Sequence, residues 1–185
     1  MNRVLTGLGR WLAQLRQNWK SHALTLLIFM LVYGGIHLWQ TRAVPSGPAP
    51  GFSAPFIAQQ STGVIDLEHW RQAHAGRAVA LHFWAEWCPI CRAEEGSISN
   101  VQADWPVLGV AMQSGDASRV RAVLNKRQLD WNTAVDADGQ IARRFGLSAV
   151  PAFIVIDPQG RIRFAEVGYT TEAGMRLRLW WAQTF

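Results

Sequence analysis

Residues 78–85, AVALHFWA, form an apolar run interrupted only by His82. A strand with one wet face alternates apolar and polar residues, whereas a near-continuous apolar run is covered on both faces. This run therefore calls for a central strand with a layer packed on each side of its sheet. The flanking sequence supplies those layers. Pro89–Val101 reads as a helix, with proline tolerated in the first turn. PVLGVAM, 106–112, is a second buried strand. Asp116 caps a helix over 117–129, with Val120, Val123 and Leu124 on one face. Ala134-Val135 is a short element, followed by DADG and a small helix, 140–145. AFIVID and RIRFAEV are strands joined by PQG, a hairpin signal. Thr170 or Thr171 caps a last helix in which Met175, Leu179 and Trp180 are apolar. Strands alternating with helices imply an α/β fold, a mostly parallel sheet covered on both faces, with the hairpin as an antiparallel edge.

The N-terminal part has a different character. Arg3, Arg10, Arg16, Lys20 and Arg42 precede the first acid, Asp66, and account for the net charge of +5. The rest of the chain is neutral, so no nucleic-acid footprint is expected. Ala23–Trp39 holds 17 residues without Asp, Glu, Lys or Arg, at the short end for a bilayer span. Trp19 and Trp39 stand where interfacial anchors stand, and the basic excess before the run places the N-terminus in the cytoplasm. A buried core helix fits these flanks poorly. A cleaved signal peptide would have a long basic leader and, in TRAVP, a poor cleavage site. The expected organisation is a cytoplasmic basic segment (1–21), a transmembrane helix (22–40), a Pro/Gly linker (41–51) and a folded domain (52–185). Leu5, Leu8, Leu12, Leu15 and Trp19 recur at helical spacing, an amphipathic helix suited to the inner membrane face.

The chain has two cysteines, Cys88 and Cys91. Cys88 follows the buried strand and opens a helix, where free N–H groups and the helix dipole favour a thiolate. Cys91 is about one turn on, a spacing that can meet disulfide geometry. A thiolate beside a second thiol is what reversible exchange requires. Other uses of the pair exist. A structural zinc site needs four ligands, and no second pair follows. Copper(I) needs only two thiolates. A purely structural staple would close a tiny loop, where the entropic gain is least.

FWAEWCPIC resembles the active site of the thioredoxin superfamily. With APF, CPICRAEE, VDADGQIARRFGL, AVPAFIVIDPQGRI and VGY, the resemblance covers about 52–168. It extends to membrane-anchored periplasmic thioredoxins of the TlpA/ResA type, and within them to the suppressor-of-copper-sensitivity D group of protein disulfide oxidoreductases. It implies a thioredoxin fold behind one N-terminal transmembrane helix. It makes Cys88 the exposed nucleophile and Cys91 the buried resolving thiol. It makes Val150-Pro151 a cis-proline loop facing the cysteines, with Trp87 and Pro89 on the substrate-facing surface. Glu94, one turn beyond Cys91, matches an acidic residue that relays a proton to the resolving thiol.

Other residues read more plainly. Glu95 is expected to be a solvated helix residue. Trp84 serves either the core or the substrate face. His82 is expected to be a hydrogen-bonded core histidine, and Trp180-Trp181 packing residues. The implied protein is a disulfide oxidoreductase of the bacterial inner membrane, with its domain in the periplasm. Its expected partners are periplasmic protein thiols or disulfides and a transmembrane thiol electron donor. No cofactor beyond the redox-active disulfide is expected. The alternative is a copper-binding module built on the same two thiols.

Overall fold

The computed structural model describes residues 19–58 and 61–185. The chain divides into two compact units, 1–39 and 40–185. The amphipathic helix expected from Val4 lies, up to residue 18, outside the described residues. Helix α1, Trp19–Thr41, has 23 residues. At about 1.5 Å per residue this exceeds a hydrocarbon core of about 30 Å. Its Leu, Ile and Phe side chains lie mostly exposed. A helix apolar all round belongs in a core or a bilayer, and this one is long and apolar enough to cross a membrane.

The second unit is built on one eight-stranded sheet. Its strands are β1 (Gly47–Pro48), β2 (Ser53–Ile57), β3 (Thr62–Asp66), β4 (Val79–Trp84), β5 (Val107–Met112), β6 (Thr133–Asp136), β7 (Ala152–Ile156) and β8 (Arg161–Val167). The helices are α2 (Leu67–Gln72), α3 (Pro89–Asp104), α4 (Ala117–Arg127), α5 (Gln140–Arg144) and α6 (Glu172–Thr184). The spatial order is β1-β8-β7-β4-β5-β6-β2-β3. Strands β4, β5 and β6 run parallel, and β7 pairs antiparallel with β4.

Strand β4 is buried at all six positions. Ala80 and Trp84 face a core built with α3, α4 and α6, while Val79, Leu81 and Phe83 face one built with α5, Leu67 and Phe52. Two opposed cores explain the unbroken apolar run. Burying side chains such as Leu81 and Phe83 contributes about 1.5–3 kcal/mol each.

The hairpin β2–β3 is absent from the sequence expectation. Pro55 and Gly63 interrupt the usual strand signature. The strand tolerates Pro55 because β6 pairs only with Phe56 and Ile57. The segment expected to be a semi-extended Pro/Gly linker also carries structure. Gly47 and Pro48 pair with Ile162 and Arg161 at the sheet edge, and Val44 and Ala49 pack on the second core. Helix α6 turns Met175, Leu179 and Ala182 inward and leaves Leu177, Trp180 and Trp181 about half exposed. The tryptophan pair is thus largely surface, because it falls beside the inward stripe.

Asp116 caps α4 as expected, accepting the Arg119 N–H at 2.9 Å. The hydrogen bonds from Ser118 and from the Arg119 amide hold its carboxyl below the ordinary value of 3.8. A depressed carboxyl stabilises the fold above its unfolded value, and this support is lost as pH falls through the folded one. Asp116→Ala should lower the melting temperature at pH ~7, and the gap should close below pH ~4. Thermal melts of both proteins at the two pH values check this.

Candidate active site

Strand β4 ends at Trp84, and five residues later, at Pro89, α3 begins. This is the carboxyl end of the central strand, where connections part to opposite sides of the sheet, the usual place for a site in α/β proteins. Cys88 is the N-cap of α3, with Pro89 in the first turn. Its sulfur accepts the Cys91 N–H at 3.1 Å, which satisfies one of the donors a helix start leaves free. Cys88 and Cys91 are joined by a disulfide, with Cα atoms 5.3 Å apart.

The loop before β7 faces the pair. The Val150-Pro151 peptide is cis, and the Val150 carbonyl oxygen lies 3.7 Å from Cys88 Sγ. The Gly168 N–H, at the end of β8, donates to the Pro151 carbonyl at 2.8 Å and ties the loop to the sheet. Trp87, Pro89 and Ile90 stand exposed around the cysteines. Cys88 itself is 3% exposed and Cys91 2%. The expected contrast between an exposed and a buried sulfur is therefore not present in this oxidised form. The asymmetry lies in position: Cys88 caps the helix beneath the Val150 carbonyl, and Cys91 sits inside the first turn.

The segment before Cys88 is clamped from two directions. The Glu86 N–H donates to Ser114 Oγ at 3.0 Å, and the Trp87 indole N–H donates to the Gln113 carbonyl at 3.1 Å. Both carboxylate oxygens of Glu86 accept from the Arg119 guanidinium, which holds the Glu86 carboxyl below its ordinary range. Arg127 donates to the Glu86 carbonyl at 2.8 Å and to Glu95 at 2.7 Å. Glu95 is thus ion-paired, not simply solvated. Sequence reading passed over Gln113, Ser114, Arg119 and Arg127. They lie 26 to 41 residues from their partners in this segment, and no local motif marks them.

Glu94 is 1% exposed. One of its oxygens accepts the Thr170 N–H, and the other lies 3.7 Å from His82 Nε2. His82 is fully buried, yet neither ring nitrogen makes a hydrogen bond within the protein. The expected hydrogen-bonded core histidine is therefore corrected. Position 82 points from β4 toward α3, which offers it a carboxylate at ion-pair range and no closer acceptor. Trp84 is a core residue. Among the described residues, no group of three or more His, Cys, Asp or Glu is placed to hold a metal.

Residues 45–165 match the AhpC/TSA family. The chain belongs to that family. Among its curated relatives is a thioredoxin-like protein of Haemophilus influenzae, 28% identical over 57% of this chain and 63% of its own length. A thiol:disulfide interchange protein DsbE of Tatumella citrea is 28% identical over 82% of this chain and 86% of its own length. Among solved structures, a secreted Mycobacterium tuberculosis disulfide oxidoreductase homologous to Escherichia coli DsbE is 26% identical. It covers 69% of this chain and 93% of its own, with a TM-score of 0.56. This AhpC/TSA member has a thioredoxin fold, a mixed sheet with helices on both faces, behind one apolar helix suited to span a membrane. Its fold and bonded cysteine pair are those of a disulfide oxidoreductase.

Proposed function

We propose that this chain is a membrane-tethered thiol:disulfide oxidoreductase that exchanges disulfides with periplasmic proteins through Cys88 and Cys91. The observation that carries this reading is the bond between two sulfurs at a helix N-terminus, facing the Val150-Pro151 loop. In the reducing direction, the Cys88 thiolate attacks a partner disulfide and forms a mixed disulfide. Cys91 then attacks Cys88, releasing the reduced partner and restoring the internal disulfide. Oxidation of a partner dithiol is the same sequence reversed. The free N–H groups of α3 stabilise the Cys88 thiolate. A partner strand meets Cys88 across Trp87, Pro89 and the Val150-Pro151 backbone.

The names of the relatives support exchange chemistry, the length of α1 supports a single-pass inner-membrane anchor, and the basic residues before it support a cytoplasmic N-terminus. The motif resemblance favours the suppressor-of-copper-sensitivity D subgroup, supplied with electrons by a transmembrane thiol donor when it acts as a reductase. Exchange is favoured over copper binding because the two sulfurs are bonded to each other.

The full chain in detergent should equilibrate with mixtures of glutathione and glutathione disulfide through one two-electron transition. The midpoint gives the reduction potential and so the direction of flow. Cysteines that stay locked in one state across all ratios would defeat the proposal. A reporter active only outside the cytoplasm, fused after Gly51, should be active.

A further inference from the structure

His82 and Glu94 face each other in the core that also holds the cysteines. A buried polar group without a partner is costly, and its persistence calls for an explanation. Here such a group, His82, stands beside a buried carboxylate, Glu94. His82 has no hydrogen bond within the protein at either nitrogen. The Glu94 oxygen nearer to it is 3.7 Å away, while the other is held by the Thr170 N–H. Glu94 lies one turn beyond Cys91 on α3, and both are buried in that helix.

We propose that His82 is a positioning residue for the thiol exchange, acting through Glu94. The imidazole orients the carboxylate and trades a proton with it as Cys91 changes between thiol and disulfide. This rests on the exchange reading above. During resolution, the Cys91 thiol gives up its proton to the pair. Its sulfur bonds to Cys88 Sγ, the bond between Cys88 and the partner breaks, and the partner sulfur leaves with the bonding electrons as a thiolate. The two protein thiols are oxidised by two electrons and the partner disulfide is reduced. With a carboxylate alone, the incoming proton can rest only on Glu94. With His82 adjacent, it can pass on to the ring, leaving a carboxylate that can accept again.

The surroundings leave the pair isolated. On its own strand, His82 is flanked on this face by Ala80 and Trp84. Across the sheet it pairs with Gly109 of β5 and Phe153 of β7. The Trp131 ring stands edge-on at 5.4 Å, and the loop before α6 contributes the Thr170 amide. From α3 come Glu94 and the cysteines. The other buried carboxylates are engaged elsewhere: Asp136 accepts the Ile141 and Ala142 amides, and Asp157 accepts the Arg161 amide and pairs with Arg163.

The test uses the reduced full chain and a chromogenic aryl disulfide in rapid mixing. The first coloured thiolate reports attack by Cys88, and the second reports closure by Cys91. His82→Gln should leave the first phase unchanged. It should move the pH profile of the second by about one unit, the scale of interacting titrations. In the Glu94→Gln background, His82→Gln should have no further effect. A folded His82→Gln protein with an unchanged second-phase profile would overturn the role, as would an effect that simply adds to that of Glu94→Gln. Nuclear magnetic resonance of the unsubstituted chain decides the matter even if His82→Gln fails to fold. The His82 ring nitrogen signals should differ between the oxidised and reduced proteins at one pH, and identical signals in both forms would refute the proposal. Absence of the first phase would instead remove the exchange reading itself.

Discussion

Cys91→Ser should accumulate covalent complexes with partner proteins, and Cys88→Ser should form none. The two sulfurs are almost equally hidden in the oxidised form, so the asymmetry must come from where each sits. Cys88 occupies the N-cap, where its sulfur accepts an amide and a thiolate is stabilised by the free helix end. Cys91 lies within the first turn, behind the helix end that Cys88 caps. A chain that keeps Cys88 can start the exchange and cannot finish it. A chain that keeps only Cys91 cannot start. Both variants should remain folded, because a disulfide closing so small a loop adds little to stability. Non-reducing electrophoresis of extracts with thiols blocked before lysis reads the result, and reductant should dissolve the bands. Adducts on Cys88→Ser but not on Cys91→Ser would exchange the two roles. Adducts on neither would favour copper binding, where loss of either thiolate acts alike. Trapped bands would also identify the partners.

The central strands and the cysteine site were legible because their signals are local. The run through β4 reads as doubly buried from hydrophobicity alone, and the helix that opens at Cys88 follows from Pro89 and the cap position. The cis-proline loop came into view through resemblance, since no local rule separates Val150-Pro151 from an ordinary X-Pro pair. What stayed hidden depends on partners distant in sequence. Pro55 breaks the local strand signature of β2, a strand held along its length by β3 and met by β6 only at Phe56 and Ile57. Trp180 and Trp181 read as packing because hydrophobicity does not reveal which side of a helix faces out. His82 read as a hydrogen-bonded core residue because Glu94 comes from another element.

The edge strand β1 was hidden for a similar reason, and one glycine makes it testable. Gly146 ends α5 in a left-handed conformation, φ +67°. Its N–H donates to the Arg143 carbonyl and that of Leu147 to the Ala142 carbonyl, both at 2.9 Å, the paired closure of a Schellman motif. A side chain here would meet the N-terminal strap. A Cβ at position 146 would overlap the Ala43 carbonyl and come within 2.8 Å of Val44 N. In Gly146→Ala, either the strap or the 145–147 loop must move. Moving the loop would disturb Phe145 and Leu147, both buried, at about 2–5 kcal/mol for each side chain lost from the core. Moving the strap gives up the partial burial of Val44 and Ala49 and the short β1–β8 ladder, about 1 kcal/mol per hydrogen bond. The strap should therefore yield. To its loss is added about 1–2 kcal/mol for left-handed alanine. Gly146→Ala should lower the melting temperature. It should also release 43–49 to rapid amide exchange and proteolysis while β4, β5 and β7 stay protected. Retained protection at 43–49 with loss around Phe145 would show that the strap, not the loop, is the firmer of the two. With the strap released, the Pro/Gly segment becomes the free linker its composition suggests. Its ordered state is then set by the missing side chain at position 146 as much as by its own residues.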